Sequence, residues 1–262
     1  METSFHLAIL TALWKRPALS EIVLGHYLAL RAGMLECGIL SSVCAVYSSD
    51  DEQIFLRNAH YTCADNHPLS NKFNIGLSEI YREWGVAIDA VMVVGSDDLV
   101  NARYIVDAVE LIKAGADVVL PFGVHILDLP KREAIFIPRA TPGAGRVYGR
   151  ELLDKVGWNL WVPGRNRELD SSTFIVINPH DPQIETLSTF GERTIIALKG
   201  QENLWSAEAL RQSAADFGGF IPERAERLLR QEFPGVAESL LNLYEHSPAE
   251  SSLVAEATAI SA

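Results

Sequence analysis

Two adjacent carboxylates, Asp97 and Asp98, close a valine-rich run, VMVVGSDD over residues 91–98. An apolar run that stops at glycine, serine and acid reads as a buried strand with carboxylates at its exit. Open α/β folds bind ligands outside the carboxyl ends of their strands. Carboxylates fixed there, with Ser96 beside them, suit a divalent cation carrying phosphate. The plainer alternative is a turn in which Asp98 caps the helix that follows.

Other polar residues fall at comparable places. The run TALWKRP, residues 11–17, sets Thr11, Lys15 and Arg16 around Trp14 ahead of a helical pattern. Such a loop can face a diphosphate or stack on a base; equally it can be a solvated helix start with Trp14 packed in the core. In SSDD, residues 48–51, Asp50 can accept a hydrogen bond from a ribose or base, with a capping turn as the alternative. NKFN, residues 71–74, offers Lys72 to neutralise phosphate and Asn74 to bind a nucleotide group or cap a helix. Gly145 and Arg146, in GAGR, allow a substrate to approach closely, while Trp158 and Trp161 present flat faces for a sugar ring or for core packing. In RNRELD, residues 165–170, two arginines including Arg167 flank the acids that end at Asp170. This is either a surface ion-pair cluster or the setting of a general base.

The elements that must position these groups alternate. Residues 7–13, 42–47, 90–94 and 117–122 read as strands, and 19–37, 72–84 and 102–113 as helices. That is the grammar of a parallel sheet with helices on its faces. Beyond Pro130 the pattern predicts a short strand at 134–138, a glycine-containing loop at 141–149, a short helix at 151–156, and strands at 172–177 and 194–197. Residues 206–244 read as helical with breaks at Gly218, Gly219 and Pro234, and the Ser, Ala and Glu-rich stretch from His246 as mobile.

Composition narrows the classes. The 262 residues are 48% hydrophobic and 21% charged, enough for a sizeable core in one large or two small domains. A net charge of −12 argues against broad adhesion to nucleic acid or anionic membrane. Cys37, Cys44 and Cys63 lack C-x-x-C spacing and read as reduced core thiols. The sequence shows no charged leader and no apolar run of the roughly 20 residues that a membrane span requires, so a cytoplasmic protein is expected.

Taken in order, the pieces resemble the GT-A fold glycosyltransferases, particularly family 2-like enzymes that move a sugar from a nucleotide diphosphate donor. TALWKRP, YSSDD, NKFNIGL, VMVVGSDD, and GAGRVYGRELL followed by W and RELD carry the resemblance, across residues 5–177. It implies a GT-A type Rossmann-like α/β fold with a mixed, mostly parallel sheet. Residues 1–205 would form the nucleotide-sugar-binding catalytic domain, 206–245 a helical extension and 246–262 a flexible tail. Ser96, Asp97 and Asp98 stand where the family keeps its D-x-D motif, with Ser96 at the first position. Asp97 and Asp98 would then hold Mn2+ or Mg2+ against the donor diphosphate, with His180 as a later ligand or an exposed loop residue. Asp170 falls at the place of the catalytic base, Asp50 would touch the base or ribose, and Lys72 and Lys199 would approach phosphates. Leu169-Asp170 replaces the customary Glu-Asp pair near that base, with Glu168 one step farther away.

The resemblance implies metal-dependent, inverting transfer to an acceptor hydroxyl on a glycan, a protein, a lipid-linked sugar or a modified nucleic-acid base. Two alternatives stand beside it. A nucleotidyltransferase making a nucleotide-sugar also needs an α/β sheet, a nucleotide and Mg, although residues 7–17 lack its early glycine-rich loop. A catalytically silent nucleotide-sugar-binding protein would keep the fold without an effective metal site.

Overall fold

The computed structural model describes residues 4–48, 56–200, 207–214 and 219–243. Asp50 and the 246–262 tail lie outside the described residues. The chain begins with β1 (Phe5–Ala12), α1 (Pro17–Glu36), β2 (Ile39–Tyr47), β3 (His60–Cys63), α2 (Leu69–Trp84), β4 (Ala90–Gly95), β5 (Asp98–Val100) and α3 (Ala102–Lys113). It continues with β6 (Val118–Phe122), β7 (Val124–Asp128), β8 (Glu133–Ile137), β9 (Arg146–Gly149), α4 (Arg150–Lys155) and α5 (Leu169–Ile177). The last elements are β10 (Ile184–Ser188), β11 (Ile195–Lys199), α6 (Ala207–Ser213), β12 (Ile221–Arg224), α7 (Ala225–Glu232) and α8 (Ala237–Asn242).

Seven strands form one sheet in the order β10-β6-β9-β4-β1-β2-β3. β1 pairs in parallel with both β2 and β4, and only β9 runs against its neighbours β4 and β6. The α/β class with a mixed, mostly parallel sheet is therefore as the sequence implied. Every residue of β1 is buried because both faces of this central strand are covered. Leu7 and Ile9 join the core under α1 and α3, while Ala8 and Leu10 join the one under α2, α4 and α5. A Cβ on Gly76 of α2 would stand 2.5 Å from Leu10 Cδ1 and 2.6 Å from Val46 Cγ2, so glycine lets this helix lie close on the sheet.

A second sheet, ordered β12-β8-β7-β11-β5, branches off directly after β4. Its inner face and helices α7 and α8 share the core of α1 and α3, through Leu229, Phe233 and Leu240 among others. Among the described residues no helix is long and apolar enough to cross a membrane.

Several expectations need correction. Residues 172–177, expected as a strand, form the latter part of α5. Thr173 and Ile177 are buried one helical turn apart, Ile175 is 57% exposed, and the hydroxyls of Ser172 and Thr173 donate back to the carbonyls of Leu169 and Asp170. The expected loop at 141–149 ends in β9, which fills the gap between β4 and β6. Ile221–Arg224, in the stretch expected to be helical, instead adds the edge strand β12 to β8. Asp98 does not cap α3; Asn101 does, its Oδ1 accepting the Tyr104 N–H at 3.0 Å. Of the three cysteines only Cys44 is buried, its thiol pushed up to about 12 by burial; Cys37 and Cys63 are exposed.

Candidate active site

Strand order reverses between β1 and β4, since β2 and β3 lie to one side of β1 and β4 to the other. Ligands of open α/β sheets bind at such a switch point. Here a cleft of about 1040 Å³ opens there, lined from the β1–α1 loop by Trp14 and Arg16, from the β4 exit by residues 95–98, from the start of α5 by Asp170, and from β11 by Lys199.

The acidic pair sits where the large sheet hands over to the small one. The Asp98 Oδ2 accepts the Gly95 N–H at 2.7 Å, and a Cβ on Gly95 would lie 2.6 Å from that oxygen and 2.9 Å from Asp97 Oδ1. Glycine is what permits both carboxylates to fold back over the strand end. The Asp97 Oδ2 accepts from Arg16 Nη1 at 3.1 Å and stands 3.5 Å from Lys199 Nζ, while Arg16 Nη2 donates to Ser96 Oγ at 3.2 Å. Burial opposes ionisation of Asp97, but Lys199 and Arg16 outweigh it and hold this carboxyl below the usual range. Burial and then the Asp97 charge push Asp98 the other way, up to about 7.

Asp170, in the first turn of α5, lines the same cleft. Its carboxylate rests on Gly143, where an added Cβ would overlap Oδ1 at 2.1 Å. Arg146 holds that arrangement from below. Its Nε and Nη2 donate to the carbonyls of Pro142 and Thr141 at 3.0 and 3.1 Å, and Nη1 donates to the Asp170 carbonyl at 2.9 Å and to Thr173 Oγ1 at 3.2 Å. Arg146 lines the cleft but is only 2% exposed, and its guanidinium, bonded to protein oxygens, braces Asp170.

Lys72 differs likewise from expectation. It is fully buried, and its ammonium donates to Leu13 O at 2.5 Å, Ser48 Oγ at 2.7 Å and Asn66 Oδ1 at 3.1 Å. It ties the exits of β1 and β2 to the loop before α2 instead of lining the cleft. Asn74 is buried in a reciprocal pair with the Trp161 backbone, donating to its carbonyl at 2.8 Å and accepting its N–H at 3.2 Å. That pair fixes the Trp161 ring, which stacks on Phe73 at 4.9 Å and lines the cleft.

The remaining expected residues divide. Arg16, Ser96, Asp97, Asp98, Trp161, Arg167 and Asp170 share the cleft. Thr11 is buried in β1, and Lys15 is exposed with its ammonium 4.8 Å above the Trp14 ring; neither lines the cleft. Gly145, at φ +81°, faces inward toward Ile195 and Tyr104. Trp158 is buried away from the cleft, donating from Nε1 to Asp154 and lying beneath Arg150. His180, expected among the metal ligands, is exposed just past the far end of α5, because that helix carries the chain out of the cleft. The sequence reading overlooked Asn66, the acceptor that completes the Lys72 brace, and Asn166, whose Oδ1 accepts the Leu69 N–H at 2.9 Å and so seats the 164–166 loop on the start of α2. Asn66 stands in no periodic or acidic pattern, and Asn166 is a neutral residue within the charged RNRELD run.

At a phosphate site a hard dication is held by one or two carboxylates free of other cations, with substrate phosphates and water completing its shell. Among the described residues no group of three or more His, Cys, Asp and Glu is placed to hold a metal ion. Of the two carboxylates available, Asp97 is shared by two cations and Asp98 is engaged by a backbone N–H. This donor set does not fit a resident Mn2+ or Mg2+.

No family model and no curated protein matches the sequence. Solved structures similar to this chain include a galactosyltransferase catalytic domain and a diphosphocytidyl-methylerythritol synthase. Residues 1–349 of TarS from S. aureus are 13% identical, with 74% of this chain covered, 60% of that chain, and a TM-score of 0.49. The catalytic domain of Drosophila beta1,4-galactosyltransferase 7, in complex with xylobiose, is 13% identical over 70% of this chain and 64% of that one, TM-score 0.44. A 4-diphosphocytidyl-2C-methyl-D-erythritol synthase from Anaerococcus prevotii is 14% identical over 71% of this chain and 88% of that one, TM-score 0.47. The chain spans 60% of the length of the TarS structure.

Proposed function

We propose that this chain is a glycosyltransferase that moves a sugar from a nucleotide diphosphate donor to an acceptor hydroxyl. One observation carries the reading. A single cleft at the switch point holds the Arg16, Asp97 and Lys199 cluster at one wall and the cradled Asp170 carboxylate at another. The donor diphosphate belongs at the first wall, where cations and the β4 exit converge. Trp14, half-buried, and Trp161, buried, also line the cleft, and Trp14 offers an aromatic surface to a base or a sugar ring. Asp170 takes the proton of the acceptor hydroxyl as that oxygen forms its bond to the anomeric carbon. The bond from that carbon to the diphosphate breaks in the same step, the nucleoside diphosphate departs with the electron pair, and the configuration inverts. A positioned base contributes about 10²–10⁴-fold.

The test separates this from nucleotidyl transfer. Purified protein is offered nucleotide-sugars with a panel of hydroxyl acceptors, and separately nucleoside triphosphates with sugar phosphates. Nucleoside diphosphate release accompanied by glycosylated acceptor, falling about a hundredfold or more in Asp170→Asn, is expected. Pyrophosphate release from the second mixture, with no transfer in the first, would overturn the reading. Binding without either reaction would point to a silent nucleotide-sugar-binding protein.

A further inference from the structure

We propose that Arg16 and Lys199, held together by Asp97, take the place of a divalent cation against the donor diphosphate, so that the chain binds nucleoside diphosphates without metal. The inference rests on the donor-site reading above.

Four observations support it. Arg16 comes from the β1–α1 loop and Lys199 from the end of β11, so two cations reach the β4 exit from different sheets and meet at one oxygen, Asp97 Oδ2. Both are largely shielded, with side chains 14% and 13% exposed, yet both line the open cleft. Charges so placed are poorly screened and act strongly on an anion entering from solvent. Arg16 Nε is buried with no hydrogen-bond partner among the described residues, so a donor remains at the site that protein oxygens do not satisfy. Finally, Arg16 immediately precedes α1, whose first turn holds no acidic residue and whose start has no side-chain cap. The positive end of a 20-residue helix therefore adds to the field at the same place.

A dication would act against this arrangement. Binding at Asp97 would require displacing Arg16 and Lys199 and leaving two shielded cations beside a third positive centre. A diphosphate has the opposite sign and joins them. The two side chains would neutralise charge on the leaving nucleoside diphosphate as the sugar bond breaks, the service a metal otherwise supplies. Asp97 is then a positioning residue that keeps two like charges side by side, while Asp98, engaged by Gly95 N–H, holds the strand exit in shape.

Calorimetric titration with UDP, GDP, ADP, CDP and dTDP, each with chelator, with Mg2+ and with Mn2+, tests the proposal on the full chain. At least one nucleoside diphosphate is expected to bind in chelator, with affinity changed less than about threefold by either metal. Arg16→Met and Lys199→Met should each weaken that binding about tenfold or more, the loss of one charge-assisted contact. Melting curves establish that the variants fold, and Arg16→Lys, which keeps the charge, should retain more affinity than Arg16→Met. Binding that appears only with Mg2+ or Mn2+ would overturn this inference while leaving the donor site standing. No binding under any condition would overturn both.

Discussion

Replacing Lys72 by methionine separates two roles that look alike in sequence. As a phosphate contact, Lys72 could be lost with little effect on folding. As a brace, its loss strands Leu13 O, Ser48 Oγ and Asn66 Oδ1, which accept from the ammonium at 2.5, 2.7 and 3.1 Å in a fully buried setting. Hydrogen bonds to a charged group contribute about 1.5–3 kcal/mol each. Against their sum stands the penalty for burying an ammonium, several kcal/mol that the methionine variant no longer carries. The methionine fills the space of the aliphatic stem, so the difference is polar, and we expect a net loss of about 3 kcal/mol. For a chain of this size that lowers the melting temperature by roughly 6–12 °C. Scanning calorimetry measures the shift, and titration with nucleoside diphosphate well below both melting points measures the site. A melting temperature within about 2 °C of the parent, together with a clear loss of nucleotide affinity, would refute the brace and restore the phosphate contact.

Arg146→Lys keeps the charge but cannot reach the Thr141, Pro142 and Asp170 carbonyls and Thr173 together. Turnover should fall by about 10–100-fold as Asp170 loses its placement, with donor affinity within threefold; equal turnover in steady-state assays would contradict the brace. Asp98 keeps its proton to about pH 7 when folded, against an ordinary value of 3.8. The native state therefore holds a proton that the unfolded chain has already lost, and stability falls as pH rises through that window, by at most about 1.4 kcal/mol per pH unit. Melting temperatures in the parent should fall from pH 5 to about 7 and level off toward pH 8.5, with a flatter profile in Asp98→Asn; parallel profiles would count against it. Trp158→Phe loses the bond to Asp154 and part of the stack on Arg150. It should cost about 1–2 kcal/mol in urea unfolding without altering nucleotide affinity, and an altered affinity would place Trp158 in the site after all.

Much of the scaffold was legible because hydrophobic period and length agree in the first half. The helix expected at 102–113 is α3, Ala102–Lys113, and the strands around Leu7, Val43 and Val91 are β1, β2 and β4. Legibility failed where periodicity is too short to register. β5 has three residues and β9 four, and each is a strand only because a partner from a distant part of the chain lies beside it. The β-branched run at 172–177 misled for the opposite reason, since its strand-like composition yields to helical burial of Thr173 and Ile177.

At the site, residue types indicated which groups share a region but not what each one touches. Arg16, Asp97 and Asp170 were visible as charged residues at element ends. That Lys72, Asn74 and Arg146 turn inward to protein oxygens depends on loops that meet only in the folded chain, such as residues 164–166 seated on the start of α2. Lys199 shows the same limit from the other side. The sequence offers Lys199 only as an approach to phosphates; its place beside Asp97 follows from β11 pairing with both β5 and β7.

The handover from β4 to β5 gives the molecule a mechanical property as well as a chemical one. Asp97 belongs to neither sheet's ladder, yet its carbonyl accepts the Leu198 N–H at 2.7 Å while its carboxylate pairs with Arg16 and Lys199. One residue thus acts as a rivet between two plates, part of it a backbone hydrogen bond and part of it a shielded ion pair that salt screens only weakly. An anion seated on both cations would add a further tie across the junction. The amide of Leu198 becomes a natural strain gauge. Its hydrogen-exchange rate reports how firmly the plates are joined, and it should slow when diphosphate is present.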